Sequence, residues 1–235
     1  MNKAPDPKSY EFFLATWQVY RKIVDGNFMY HREIFSEILR LLTAQPGAVF
    51  SVLDLGCGDT ATMRPILEKI RFSNYLGVDA SQPALQLAKG ELQAFNDRIE
   101  LVCHDMVSFL RENLSRTFEA IVVSFSLHHL DTAQKREFLA LCKNALSPTG
   151  QLIVVDVFRN KNQSREDYLD AYCEDMTQRW TTLTAEEAQL AIEHVRTHDL
   201  PETLEDFLQL AQQAGLSRGK EVLRQGFHVI TTFGH

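Results

Sequence analysis

"VLDLGCGDT", residues 52–60, decides the fold of this 235-residue chain. Its first half is almost wholly apolar, as in a strand covered on both faces. Its second half turns on two glycines. The pattern Gly56-x-Gly58-x-x-Ala61 stands between that strand and a helical pattern at about 62–71. In this setting a glycine turn brings backbone N–H groups and a helix N-terminus against a nucleotide-like ligand. The stretch also carries two carboxylates, Asp54 and Asp59. A loop that receives a pyrophosphate is poorly served by negative charge.

Working outward, a β/α alternation follows. "NYLGVDAS" (74–81), "RIELVCHDM" (98–106), "FEAIVVSFS" (118–126) and "GQLIVVDVF" (150–158) read as strands. Helical patterns at 81–95, 105–114 and 132–146 separate them. This order predicts a parallel, doubly wound α/β sheet. After the fifth strand the alternation breaks. Residues 159–200 are polar, acidic and helical in pattern; 201–216 read as a further helix; "KEVLRQ" and "FHVITTF" around Gly226 read as a closing hairpin. Two helical patterns precede everything. One, at 9–26, carries Phe13, Trp17, Tyr20 and Val24; the other, at 28–44, carries Phe28, Ile34, Ile38 and Leu41. The expected division is therefore 1–46, 47–158, 159–200 and 201–235.

Composition excludes several classes. Hydrophobic residues make up 45% of the chain, enough for a real core. The net charge of −7 is not the basic footprint of a nucleic-acid binder. Cys57, Cys103, Cys142 and Cys173 are far apart and form no C-x-x-C pair, so they read as free thiols of a reducing cytosol. No apolar run approaches a membrane span, and the first ten residues lack a signal-peptide core. The expectation is a cytoplasmic protein without membrane insertion or nucleic-acid partner, monomeric or homodimeric.

The charge of the glycine loop separates two cofactor classes. Asp79 ends the second strand, 21 positions after Gly58, where a doubly wound fold grips ribose hydroxyls. A dinucleotide would bring its pyrophosphate against Asp54 and Asp59. S-adenosyl-L-methionine brings an ammonium and a sulfonium instead, and carboxylates attract both. Asp54 also reads as a buried carboxylate satisfied by backbone, and Asp59 as a helix cap.

"VLDLGCGDT", "YLGVDAS", "LVCHDM", "IVVSFSLHHL" and "LSPTGQLIVVDV" resemble, in order, the successive motifs of the class I S-adenosylmethionine-dependent methyltransferases. The resemblance covers roughly residues 48–158. It implies a Rossmann-like seven-stranded sheet whose last strand is antiparallel. It also implies roles. Asp54, Gly56, Cys57 and Gly58, with Asp59 beside them, would meet the methionine moiety; Asp79 would hold the ribose, flanked by Ala80 and Ser81. Asp105 and Met106 would meet the adenine, and Ser124 and Phe125 would lie beneath the sulfonium. S-adenosyl-L-homocysteine would be the product.

The segment after the fourth strand bears on the substrate. "SFSLHHL" lacks the Pro-Pro-aromatic motif of the enzymes that methylate nucleic-acid bases or glutamine side chains. It resembles the ubiquinone/menaquinone-biosynthesis type and other small-molecule methyltransferases. His128 and His129 are candidate proton acceptors for a small-molecule acceptor. The resemblance further implies an N-terminal helical lid, with Tyr20, Tyr30, His31 and Arg32 as candidates, and a helical cap at 159–200. His31 is a third candidate acid–base residue. Arg32, with Tyr30, is assigned to a carboxylate of the cofactor or substrate. In the cap, Tyr168, Tyr172, Met176 and Trp180 form a stripe that packs a helix onto a core or walls a pocket.

No metal is expected. Asp156 alone does not supply the several oxygens a hard divalent ion needs, and His194 and His198 lack a third clustered ligand. Two alternatives share the cofactor. One is an enzyme like carboxy-S-adenosylmethionine synthase, which has a comparable "FSLHHL" stretch. The other is an inactive regulatory or scaffold protein.

Overall fold

A computed structural model describes residues 17–44, 47–113 and 115–235. Phe13 and most of the first ten-odd positions of the N-terminal helical pattern lie outside the described residues. The chain is helical over residues 17–25 (α1) and again over His31–Thr43 (α2). The second helix buries His31, Ile34, Ile38 and Leu42. The buried stripe thus runs through Leu42 where the sequence pattern placed Leu41, because i, i+4 spacing from Ile38 holds that face inward.

Seven strands form one sheet: β1 Phe50–Leu55, β2 Phe72–Asp79, β3 Ile99–Cys103, β4 Phe118–Ser124, β5 Leu146–Val157, β6 Ser217–Gln225 and β7 His228–Gly234. Their order is β3-β2-β1-β4-β5-β7-β6. β1 to β5 pair in parallel, and β7 is antiparallel to both β5 and β6. The expected doubly wound sheet with an antiparallel last strand is the sheet observed. The crossovers carry α3 Arg64–Leu67, α4 Gln82–Glu91, α5 Met106–Glu112 and α6 Thr132–Ala145. α3 is shorter than the 62–71 pattern suggested: turns occupy both flanks, and Pro65 starts only one helical turn. α7 Arg165–Arg179 and α8 Ala185–His198 fill the segment after β5, and α9 Leu204–Gln213 leads to the hairpin.

The strands read as continuous apolar runs because both faces are covered. Leu53 and Leu55 face Phe138, Leu139 and Phe207, from α6 and α9. Val52, one step along, faces the other way onto Ile34, Ile38 and Leu42 of α2. Each such side chain, fully buried, stabilises the fold by about 1.5–3 kcal/mol. A third cluster lies apart from these. It joins Val19 and Ile23 of α1 to Tyr168, Tyr172 and Met176 of α7, Trp180 just beyond it, and Val195 of α8. The aromatic stripe therefore packs as core, and the N-terminal helix and the segment after β5 share that core.

This topology makes a crevice. From β1 the chain winds outward through β2 to β3, then crosses back to place β4 on β1's other side. The loops leaving β1 and β4 part at their carboxyl ends, which is where open α/β sheets bind ligands.

Candidate active site

The loop leaving β1 adopts the left-handed backbone at both glycines, with φ of 72° at Gly56 and 56° at Gly58. Side chains are excluded there for a second reason. A Cβ on Gly56 would lie 2.5 Å from Ser126 Oγ, across the crevice, and one on Gly58 would lie 3.1 Å from the Trp17 ring. The loop is thus pressed between the β4 loop and α1.

Asp79, at the end of β2, ties the loop down. Its Oδ2 accepts from Gly58 N–H (2.8 Å) and its Oδ1 from Ser81 N–H (2.8 Å). Burial raises its pKa against those two bonds. Each oxygen keeps a lone pair for a further donor. Ser81 caps α4, accepting from Ala84 N–H, and Asp105 caps α5, accepting from Ser108 N–H (2.9 Å). Ala80 and Asp105 are exposed and Met106 half-buried, along the carboxyl ends of β2 and β3.

Asp54 is 2% exposed. The Tyr75 hydroxyl donates to its Oδ2 at 2.7 Å, while Oδ1 has no hydrogen-bond partner. Burial pushes its pKa up to about 7, against the Tyr75 bond and with a further push from Asp79. Tyr75 is a partner the sequence reading missed. A hydroxyl-bearing ring at the start of the buried run of β2 was its only signal.

Asp59 behaves differently. Its Oδ2 accepts from Arg21 Nη1 (2.7 Å) and from Trp17 Nε1 (3.3 Å), and its Oδ1 from Ala61 N–H (3.0 Å). Its charge is thus engaged by Arg21 of α1, while the residue also lines the cavity beside Gly58. A cavity of about 200 Å³ lies between α1 and the loop, lined among others by Trp17, Tyr20, Arg21, Cys57, Ser124 and Phe125.

Tyr30 and Arg32 stand elsewhere. Tyr30 precedes α2 with a φ of 58°, and its hydroxyl meets Arg179 Nη1. Arg32 donates to the Asp25 carbonyl at 2.9 Å and is exposed. Neither lines the cavity. His31 sits one layer behind it: its Nε2 is 3.4 Å from the Tyr20 hydroxyl and its ring 4.7 Å from Phe125. Burial drives its imidazole down to about 4, so it is neutral at pH 7. His228, which the sequence reading missed, stacks edge-on to Phe125 at 5.6 Å; burial lowers it to about 3.

His128 does not line the 200 Å³ cavity either. It is buried, with Nδ1 2.5 Å from Asp156 Oδ1 and its N–H donating to Asp156 Oδ2 (2.9 Å). Burial works against its charge, yet Asp156 and then Asp199 outweigh it and raise the pKa to about 9. An imidazolium accepts no proton at neutral pH. His129 points away from the cavity, toward Asp199 and the His194 ring.

The buried, half-unpaired Asp54, the left-handed glycines and Asp79 fit a cation-bearing adenosine ligand. Among the described residues no helix is long and apolar enough to cross a membrane. Residues 52–150 match the model of a methyltransferase domain. Carboxy-S-adenosyl-L-methionine synthase of Helicobacter hepaticus is 24% identical over 225 residues, 92% of this chain and 90% of that protein. The enzyme of the same name from Actinobacillus pleuropneumoniae serotype 5b is 27% identical over 173 residues, 71% and 69% of the two chains. Among solved structures, the N-methyltransferase NodS of Bradyrhizobium japonicum WM9 matches with a TM-score of 0.59 and 18% identity, over 86% of this chain and 94% of that one. Residues 52–150 thus carry a methyltransferase domain, set on a seven-stranded sheet with a glycine loop after β1.

Proposed function

We propose that this enzyme transfers the methyl group of S-adenosylmethionine to a small-molecule acceptor entering beside α1. The observation that carries this reading is Asp54: a buried carboxylate oxygen without a partner, next to a glycine loop. A cation from outside satisfies it. In this reading Asp79 holds the ribose, flanked by Ala80 and Ser81, with Asp105 and Met106 at the adenine. Gly56, Cys57 and Gly58 face the methionine end, and Ser124 and Phe125 lie under the sulfonium. S-adenosylmethionine supplies a methyl on a good leaving group, so the protein mainly aligns the partners and excludes water. α1 serves as lid, seated through Arg21 and Trp17 on Asp59. Where the acceptor must lose a proton, the Tyr20 hydroxyl is the group that meets it, with His31 Nε2 behind it.

A second reading has specific support. The two relatives described above are named for carboxy-S-adenosylmethionine synthesis, and one aligns over nearly its full length. Arg21 is a basic residue lining the cavity, although Asp59 already engages it.

Thermal unfolding with S-adenosylmethionine, S-adenosylhomocysteine and NAD tests the cofactor assignment, since a ligand of the native state raises the midpoint. The first two should stabilise the chain and NAD should not. Asp79→Ala should abolish the shift. Mass spectrometry of the reacted cofactor then separates the readings. Methyl transfer leaves S-adenosylhomocysteine; the alternative leaves S-adenosylmethionine heavier by a carboxyl group.

A further inference from the structure

His128, His129 and Asp199 come from the turn after β4 and the end of α8, 70 residues apart in the chain. One ligand-capable atom of each lies within 4.8 Å of the others. Asp199 Oδ1 is 3.7 Å from His128 Nε2 and 3.8 Å from His129 Nδ1. That oxygen is buried and has no hydrogen-bond partner. The three atoms lie together, and the Asp199 oxygen is hydrogen-bonded to neither histidine.

We propose that these three side chains bind a divalent transition-metal ion of the zinc class, at the seam between the segment after β5 and the sheet. This inference is independent of the methyl-transfer reading. Ligand bonds of about 2.0–2.1 Å place tetrahedral ligands roughly 3.3 Å apart, so the two edges that run to Asp199, at 3.7 and 3.8 Å, need to close by about half an ångström.

The surroundings are built for it. A metal-bound histidine typically donates its other ring N–H to a carboxylate, which orients the ring. His128 Nδ1–H donates to Asp156 Oδ1 in this way at 2.5 Å, leaving Nε2 3.7 Å from Asp199. Asp156 is itself held by the N–H groups of His128 (2.9 Å) and Val157 (2.7 Å). The Asp199 backbone is fixed by Arg165 Nε on its carbonyl (2.8 Å) and by its own N–H to Val195 (3.1 Å). Leu200 N–H donates to the His128 carbonyl at 2.7 Å, joining the two ligand segments.

Two imidazoles and one carboxylate suit zinc and its neighbours; magnesium and calcium require more oxygen ligands. The His129 side chain is 38% exposed, which opens a path from solvent. The fourth position falls to water or to His194, whose ring lies 5.3 Å from that of His129. On binding, the ion displaces the proton between His128 and Asp199 to solvent. The bound ion pins the end of α8 to the turn that carries Ser126, a wall of the cavity.

The test uses the tag-free full chain, stripped with a chelator and titrated with Co2+ while visible absorption is recorded. One equivalent of Co2+ per chain, with a d–d band that Zn2+ abolishes, is expected. His129→Ala and Asp199→Asn should weaken binding by about 100-fold or more, and Asp156→Asn by about 10- to 100-fold. His235→Ala, at an exposed histidine far along the chain, should bind like wild type. Absence of stoichiometric Co2+ binding in wild type overturns the proposal, whatever the variants do. So does unchanged affinity in His129→Ala and Asp199→Asn, with far-UV dichroism confirming that both are folded.

Discussion

Two carboxylates in this molecule, Asp54 and Asp156, are each 2% exposed, and they are treated in opposite ways. At the glycine loop, Asp54 and Asp79 have no ion-pair partner among the described residues, and burial raises the pKa of both. At the seam, Asp156 and Asp199 enclose His128. There Asp156 is lowered, because His128 outweighs its burial. Buried charge is costly unless paired. The seam carries its own cation; the glycine loop leaves the place open for one that arrives as ligand. Asp54 and Asp156 are equally buried, yet Asp156 is paired within the fold while one Asp54 oxygen is left without a partner.

Removing the partner at the seam should give the largest effect. Asp156→Ala strands a buried imidazolium and should cost about 3–5 kcal/mol of stability in urea unfolding with chelator present. A loss below about 1 kcal/mol would show that the seam is not held by charge. Next comes the glycine loop. Asp54→Asn keeps the shape and removes the charge, and should weaken S-adenosylmethionine binding by about 10- to 100-fold, the worth of a charged hydrogen bond. Calorimetric titration measures it; equal affinity would place the cofactor ammonium elsewhere.

The pH dependence sharpens the contrast. The folded pKa of Asp54, about 7, lies above its unfolded value. Its contribution to the stability of the free protein is complete below the unfolded pKa and is lost as pH rises through 7. The cationic ligand favours the ionised form, so affinity should rise over the same range, by at most about tenfold per pH unit. Both trends should vanish in Asp54→Asn; their persistence would move the titration to another group.

Most of the fold was legible because it rests on periodicity. Alternating faces in β1 through β5 demand cover on both sides, and the glycine turn after β1 needs a backbone that few other residues adopt. Asp79 was legible for the same reason, since its place at a strand end follows from the alternation. The site was legible only in part. Asp54 was found, but its partner Tyr75 lies on the neighbouring strand. Asp59 and Arg21 are 38 positions apart. Tyr30 and Arg32 sit within two residues of His31, yet left-handed backbone at Tyr30 turns them toward α7 and solvent.

The histidines show the limit most clearly. "SLHHL" announces two imidazoles past a strand, and nothing local says whether they hold protons. His128 holds one because Asp156 and Asp199 reach it from β5 and from the end of α8. His31 holds none because no carboxylate does, and burial alone acts on it. Asp199, which lies beside both imidazoles, comes from the far end of α8 and is not legible from "SLHHL". By itself the sequence determined the sheet, the glycine loop and the class of cofactor, because backbone geometry and hydrophobic period are local properties. Which carboxylates are paired, which imidazoles are charged and where a cation can sit were decided by tertiary structure, because electrostatic energy depends on distance in space and on burial, and neither is written along the chain.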